Sequence, residues 1–157
     1  MPTVIYSSPS SARSAACTSS SGAGRELRTI VDRYVVADSS SLIRAAAAGT
    51  FAALRERFGT LTITQLVKEE VTARPDLPGA RELESAMRAG WIRVAPTPLA
   101  TWHHTDLDAG EASTLALAAE RGGALVLIDD ARGRERALEL GLEALGHEEL
   151  ARYRAGA

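Results

Sequence analysis

Five acidic positions in this chain stand where a carboxylate can do more than keep a protein soluble: Asp38, Glu70, Glu111 and the adjacent pair Asp129 and Asp130. Asp38 closes the apolar run Tyr34-Val35-Val36-Ala37 and is followed by Ser39, Ser40 and Ser41. That is the composition of a strand that stops and a helix that is capped. Asp129 and Asp130 close Leu125-Val126-Leu127-Ile128, a continuous apolar run of the kind buried on both faces of a parallel sheet. The carboxyl end of such a strand is where open α/β sheets bind ligands, although Asp after a strand is also an ordinary turn and cap residue. One helix N-terminus needs one cap, so the doubled aspartate calls for a second explanation.

The two glutamates sit on expected helices. In Gln65 to Ala73 the apolar residues Leu66, Val67 and Val71 fall on one arc at about 100° per residue, with Glu70 inside the arc and Glu69 outside it. An ionised carboxylate turned toward a core needs an arginine or a metal ion beside it, and both readings are open. Asp108-Ala109-Gly110-Glu111 precedes the alanine-rich helix Ala112 to Arg121 and has the form of a capping box, Asp108 at the N-cap and Glu111 at its third helical position. Glu111 also shares a face with Leu115 and Ala118, so its carboxylate can equally sit at the sheet edge.

The elements between these acids alternate strand and helix. Leu42 to Ala48 reads as a helix closed by Gly49, Phe51 to Phe58 as a second, and Leu61 to Ile63 as a strand after which Thr64 can cap the next helix. Residues 79 to 89 form an amphipathic helix with Leu83, Ala86 and Met87 inward, and Trp91 to Val94 a strand. Ala95 to Thr105 is a loop because Pro96 and Pro98 exclude regular pairing, and its His103 and His104 read as surface residues. A helix follows Asp130, and the chain closes with Leu142 to Leu145 and a short polar helix from about Glu148 to Arg154. Such alternation implies right-handed βαβ units and a parallel sheet, which brings the strand ends, and with them the acids, to one side.

Two carboxylates ~4 Å apart repel by about 4 kcal/mol at an effective dielectric of about 20, so an ionised cluster calls for a divalent cation. Oxygen-only ligands select Mg²⁺ or Mn²⁺ over zinc. Such ions on carboxylates activate water and stabilise in-line displacement at a phosphodiester. Arg132, Arg134 and Arg136, on the helix after the aspartate pair, are candidates to hold phosphates.

Composition narrows the setting. The 157 residues suit one domain, and 45% hydrophobic with 24% charged residues is globular usage. A formal charge of -2 leaves no global basic footprint, so any contact with nucleic acid must be local. Cys17 is the sole cysteine, which excludes an internal disulfide framework and a Cys-based zinc site and favours a reducing, cytoplasmic setting. No apolar run approaches the ~20 residues of a membrane span. Residues 7 to 24 are crowded with Ser, Ala and Gly, so residues 1 to 33 are expected to form a disordered tail ahead of a domain over 34–157, with a start near Val31 as the other reading.

Taken together, Asp38-Ser39-Ser40-Ser41-Leu42-Ile43, Val67-Lys68-Glu69-Glu70-Val71, Gly90-Trp91-Ile92, Asp108-Ala109-Gly110-Glu111-Ala112 and Ile128-Asp129-Asp130 with Arg134 resemble, in order and spacing, the PIN-domain-like proteins. The match runs from about Tyr34 to Gly146. The resemblance implies a three-layer α/β/α fold with a central, mainly parallel sheet, and a Mg²⁺- or Mn²⁺-dependent ribonuclease site. By position it makes Asp38, Glu70, Glu111 and Asp130 the catalytic, metal-holding acids, with Asp129 supplementary and Arg132, Arg134 and Arg136 toward RNA phosphates. It further implies the toxin of a toxin–antitoxin pair, with RNA as substrate, a small antitoxin protein as inhibitor and a homodimer; no membrane contact is expected, because no apolar run is long enough to span a bilayer. Ser41 stands where the family usually has proline. After Gly146 the chain reads His147-Glu148-Glu149-Leu150 in place of a Gly-rich turn and longer helix, a departure expected to expose part of the core or weaken a dimer surface.

A catalytically inactive PIN-like module that binds nucleic acid or protein is the alternative. A haloacid-dehalogenase-like phosphatase would need an aspartate at Ser40, and a receiver domain would need a further strand-end Asp and a strand-end Lys. No Gly-rich phosphate loop is present.

Overall fold

Val35, Val36 and Ala37 form the central strand because nothing on either side of it is polar: Val35 and Ala37 join the apolar cluster on one face of the sheet, and Val36 joins the cluster on the other. The computed structural model describes residues 33–99 and 106–154. In chain order they form β1 (Val35–Ala37), α1 (Ser39–Ala47), α2 (Phe51–Phe58), β2 (Leu61–Thr64), α3 (Gln65–Thr72), α4 (Ala80–Arg88), β3 (Ile92–Ala95), α5 (Ala109–Arg121), β4 (Leu125–Leu127), α6 (Ala131–Glu139), β5 (Glu143–Leu145) and α7 (His147–Arg154). Residues 1–32 of the expected N-terminal tail, which include Cys17, and His103 and His104 lie outside the described residues.

The five strands are ordered β3-β2-β1-β4-β5 and every pairing is parallel. Strand order therefore reverses between β1 and β4, whose pairing runs from Val35 opposite Leu125 to Ala37 opposite Leu127. Asp38 N–H continues the ladder by donating to Leu127 O at 3.0 Å. The carboxyl ends of these two strands are the topological switch point, the crevice where open α/β sheets take ligands.

Helices cover both faces. Leu42 and Ala45 of α1, Phe51, Leu54 and Phe58 of α2, Val67 and Val71 of α3, and Leu83 and Ala86 of α4 bury against Val35, Ala37, Leu61, Ile63, Leu125 and Leu127. Leu115, Leu117 and Ala118 of α5 with Ala137 of α6 bury against Val36, Val126 and Ile128. Each large side chain buried in this way contributes about 1.5–3 kcal/mol. The result is the three-layer α/β/α architecture, with all crossovers on one side of β1 using one face and the rest the other, as right-handed connections require. The Phe51 and Trp91 rings meet edge-on with centroids 5.5 Å apart, which fastens α2 beside the start of β3.

Boundaries differ from the sequence reading in instructive places. The first helix begins at Ser39, directly after its cap, although serines are weak helix formers. Glu143–Leu145 is an edge strand that lacks the buried, β-branched signature of the others, so nothing in its composition marked it as a strand. The residues after Gly146 do not lay the core open: α7 packs on α1, and Leu150 packs against the core on that face.

Candidate functional site at the sheet switch point

Asp38 is fully buried at the end of β1 and is the N-cap of α1. Its Oδ2 accepts from the Ser40 N–H at 3.3 Å and from the Ser40 hydroxyl, and the Ser39 hydroxyl lies 3.4 Å from Oδ1. Burial pushes its carboxyl up to about 6 despite those hydrogen bonds, and the Asp108 carboxylate pushes the same way. The side chain is rigidly placed and reluctant to carry its charge.

Glu70 is half-buried on α3 while Glu69 is exposed, the division expected from the helix arc. Its carboxylate lies against the first turn of α5, where the residue is Gly110: a Cβ there would fall 2.2 Å from Glu70 Oε2. Burial first, and then Asp108, holds its pKa above the ordinary value, although the Ser39 hydroxyl and the Gly110 N–H beside it pull the other way. No cation is among the groups that act on it.

Asp108 and Glu111 form the expected capping box at the start of α5. Glu111 N–H donates to Asp108 Oδ1 at 2.8 Å, and Asp108 N–H lies 3.3 Å from Glu111 Oε2. Glu111 is only 6% exposed, and burial first, then the Asp108, Asp38 and Asp130 carboxylates, raise it to about 7. The capping and site readings of Glu111 are thus both physical facts about one side chain. Asp108 is the residue that sequence reasoning left as a cap alone: it is the carboxylate acting on Asp38, Glu70 and Glu111 alike. Its only sequence signal is that a cap three residues before a buried acid must share that acid's surroundings.

The aspartate pair divides. Asp130 caps α6, its Oδ1 accepting from Arg132 N–H at 2.9 Å and Gly133 N–H at 3.1 Å, and it is one of the acids felt by Glu111. Asp129 turns to a different helix: its Oδ1 accepts from His147 N–H at the start of α7, and Arg44 Nε stands 3.4 Å from Oδ2. Gly146 leaves room for this, since a Cβ there would come within 3.2 Å of Asp129 Oδ1. The pair therefore caps two helices, and Asp129 does not join the acids acting on Asp38, Glu70 or Glu111.

The three arginines also part company. Arg134 pairs with Glu149 at 3.1 Å, which ties α6 to α7, and Arg136 pairs with Glu139 within α6. Arg132 is exposed beside Asp130 and, with Asp106, Leu107, Glu135, Arg136 and Glu139, lines a cleft of about 410 Å³.

Among the described residues no group of three or more Asp, Glu, His or Cys side chains is already disposed to hold a metal ion. Donor type and charge nevertheless fit a hard divalent cation: the donors are all oxygens, and the groups acting on Asp38, Glu70 and Glu111 are carboxylates, hydroxyls and N–H groups, with no cation. Capping engages Oδ1 of Asp130 and Oε2 of Glu111, and a carboxylate retains a second oxygen for a ligand.

An α/β domain with buried, mutually repelling acids at its switch point is the class that fold and site define. The family model described as DUF3368: PIN domain matches residues 34–147, and the chain belongs to that family. PIN domains are generally of nuclease type and usually use divalent metal ions. The fold is also that of a PilT N-terminus domain protein from the hyperthermophilic archaeon Sulfolobus solfataricus, at 20% identity and a TM-score of 0.57 over 79% of this chain and 95% of that one. No curated protein matches the chain. Among the described residues no helix is long and apolar enough to cross a membrane.

Proposed function

We propose that this chain is a Mg²⁺- or Mn²⁺-dependent ribonuclease of PIN type that hydrolyses RNA phosphodiester bonds. The observation that supports the reading is that acids at the carboxyl ends of β1 and β4 act on one another: Asp38, Glu70 and Glu111 are each shifted by neighbouring carboxylates, Asp130 being one of those acting on Glu111, with no cation among the groups that shift them. These four side chains would hold the ion; Asp129, engaged by α7, would not. When bound, the cation supplies charge compensation and Lewis acidity toward a phosphodiester. The chain's own residues do the positioning: Ser39 and Ser40 hold Asp38, the Gly110 N–H holds Glu70, and the capping box fixes Glu111. Arg132, beside Asp130 and open to solvent, would hold an RNA phosphate. The family resemblance supports a wider setting for the same proposal, a cytoplasmic toxin with a small antitoxin protein and a second copy as partners.

The second reading, a non-cutting binding module, is favoured by one observation: Asp38, Glu111 and Asp130 serve in helix caps, and the acids form no ready metal group among the described residues. Incubation of the full chain with a mixed RNA pool and Mn²⁺, against EDTA and against Asp38→Asn, separates the two. Cleavage lost in both controls supports the nuclease; a folded protein that cuts nothing in Mn²⁺ supports the module.

A further inference from the structure

We propose that Thr64 and Ser113 are positioning residues for the acidic site, wiring the helix that carries Glu70 to the helix that carries Glu111; the proposal rests on the reading of that site given above. Thr64 is the N-cap of α3, its Oγ1 accepting from Val67 N–H at 3.2 Å. Ser113 lies on α5, and both residues are fully buried with their Oγ atoms 2.8 Å apart. Ser113 Oγ also lies 2.9 Å from the Gly110 carbonyl. A carbonyl can only accept, so the one hydroxyl proton of Ser113 goes to Gly110 O, and the proton between the two hydroxyls comes from Thr64. The chain is directed: Thr64 donates to Ser113, and Ser113 donates to Gly110.

Gly110 completes the circuit, because it lies against the Glu70 carboxylate: a Cβ there would fall 2.2 Å from Oε2, and its N–H stands beside that group. The cap that starts α3 and the acid that α3 carries are thus both tied to the first turn of α5. A serine bonding back to a carbonyl in the preceding turn is by itself a common helix habit. Two features go beyond it. The adjacent Thr114, equally buried, has a hydroxyl with no hydrogen-bond partner among the described residues, so burial in α5 does not by itself wire a hydroxyl. The partner of Ser113 is, moreover, the cap of the helix bearing Glu70. Glu70 on α3 faces the Asp108 carboxylate that caps α5, and this circuit is what holds their spacing.

The test uses the full chain, metal-free and then titrated with Mg²⁺ alone, as wild type, Ser113→Ala, Thr64→Val and Thr64→Ser. Hydrogen exchange of the Gly110 amide is expected to rise about tenfold or more in Ser113→Ala and Thr64→Val, with no matching rise at amides of β1 and β4. Mg²⁺ affinity is expected to weaken by about tenfold in the same two variants, the usual scale for a group that orients a ligand. Thr64→Ser keeps cap and hydroxyl and should restore both readouts. Unchanged Gly110 exchange in whichever of the two variants folds overturns the proposal, as does a rise spread evenly over the whole chain. Wild type that binds no Mg²⁺ would refute the metal reading by itself, while Gly110 exchange would still decide the wiring.

Discussion

Asp38 and Gly110 separate a charge from a shape. Asp38→Asn keeps an acceptor for the Ser40 N–H and removes only a carboxylate that burial already disfavours. Metal-free protein at pH 8 should therefore melt no lower than wild type, while Mn²⁺-dependent RNA cleavage falls by at least about 100-fold, since a ligand matters no less than the groups that orient it. Gly110→Ala tests the opposite term. Alanine gains up to about 1 kcal/mol of helix propensity over glycine, so a helix-only view expects stabilisation. The Cβ would land 2.2 Å from Glu70 Oε2, so the site view expects Glu70 to be displaced and Mn²⁺ titration to show weaker binding.

Helix caps explain how the elements deliver these residues, and they also mark what was legible beforehand. Asp38, Thr64, Asp108 and Asp130 each cap the helix that follows them. Strand ends and helix arcs pointed to Asp38, Glu70, Glu111 and the aspartate pair because those cues are local, whereas preferring Asp130 within the pair came from the family resemblance. Asp129 was not legible in that way: its partners, His147 N–H and Arg44, depend on α7 docking beside β4 and on α1. The engagement of Arg134 was hidden for a similar reason, since its pairing with Glu149 is tertiary, and that pair, like Arg136 with Glu139, competes with any phosphate. β5 was missed because an edge strand of Glu143, Ala144 and Leu145 has neither alternation nor β-branched residues. The division of the pair has a consequence. Asp129→Ala should cost about 1 kcal/mol in chemical denaturation, the loss of a cap. Asp130→Asn, which retains its capping oxygen, should leave stability nearly intact and remove cleavage.

Across the whole molecule the acids make stability depend on pH. Asp38 and Glu111 titrate at about 6 and about 7 in the fold, above ordinary values of 3.8 and 4.5. Between about pH 4 and pH 7 the folded chain thus holds protons that the unfolded chain has released, so metal-free stability falls as pH rises through that window. Each kcal/mol lost lowers Tm by about 2–4 °C at this chain length, and melts in EDTA from pH 5 to pH 8 should follow that slope. A divalent cation competes with those protons, so it should stabilise the protein more at pH 8 than at pH 5.

The most direct measurement is the melting temperature of the full chain at pH 8 with and without Mn²⁺, beside Asp38→Asn and Glu111→Gln. A cation at about 100 times its Kd should raise the wild-type Tm by about 5–10 °C. Either substitution should shrink that rise. A wild-type Tm that is the same in Mn²⁺ and in EDTA would contradict a metal site at the ends of β1 and β4.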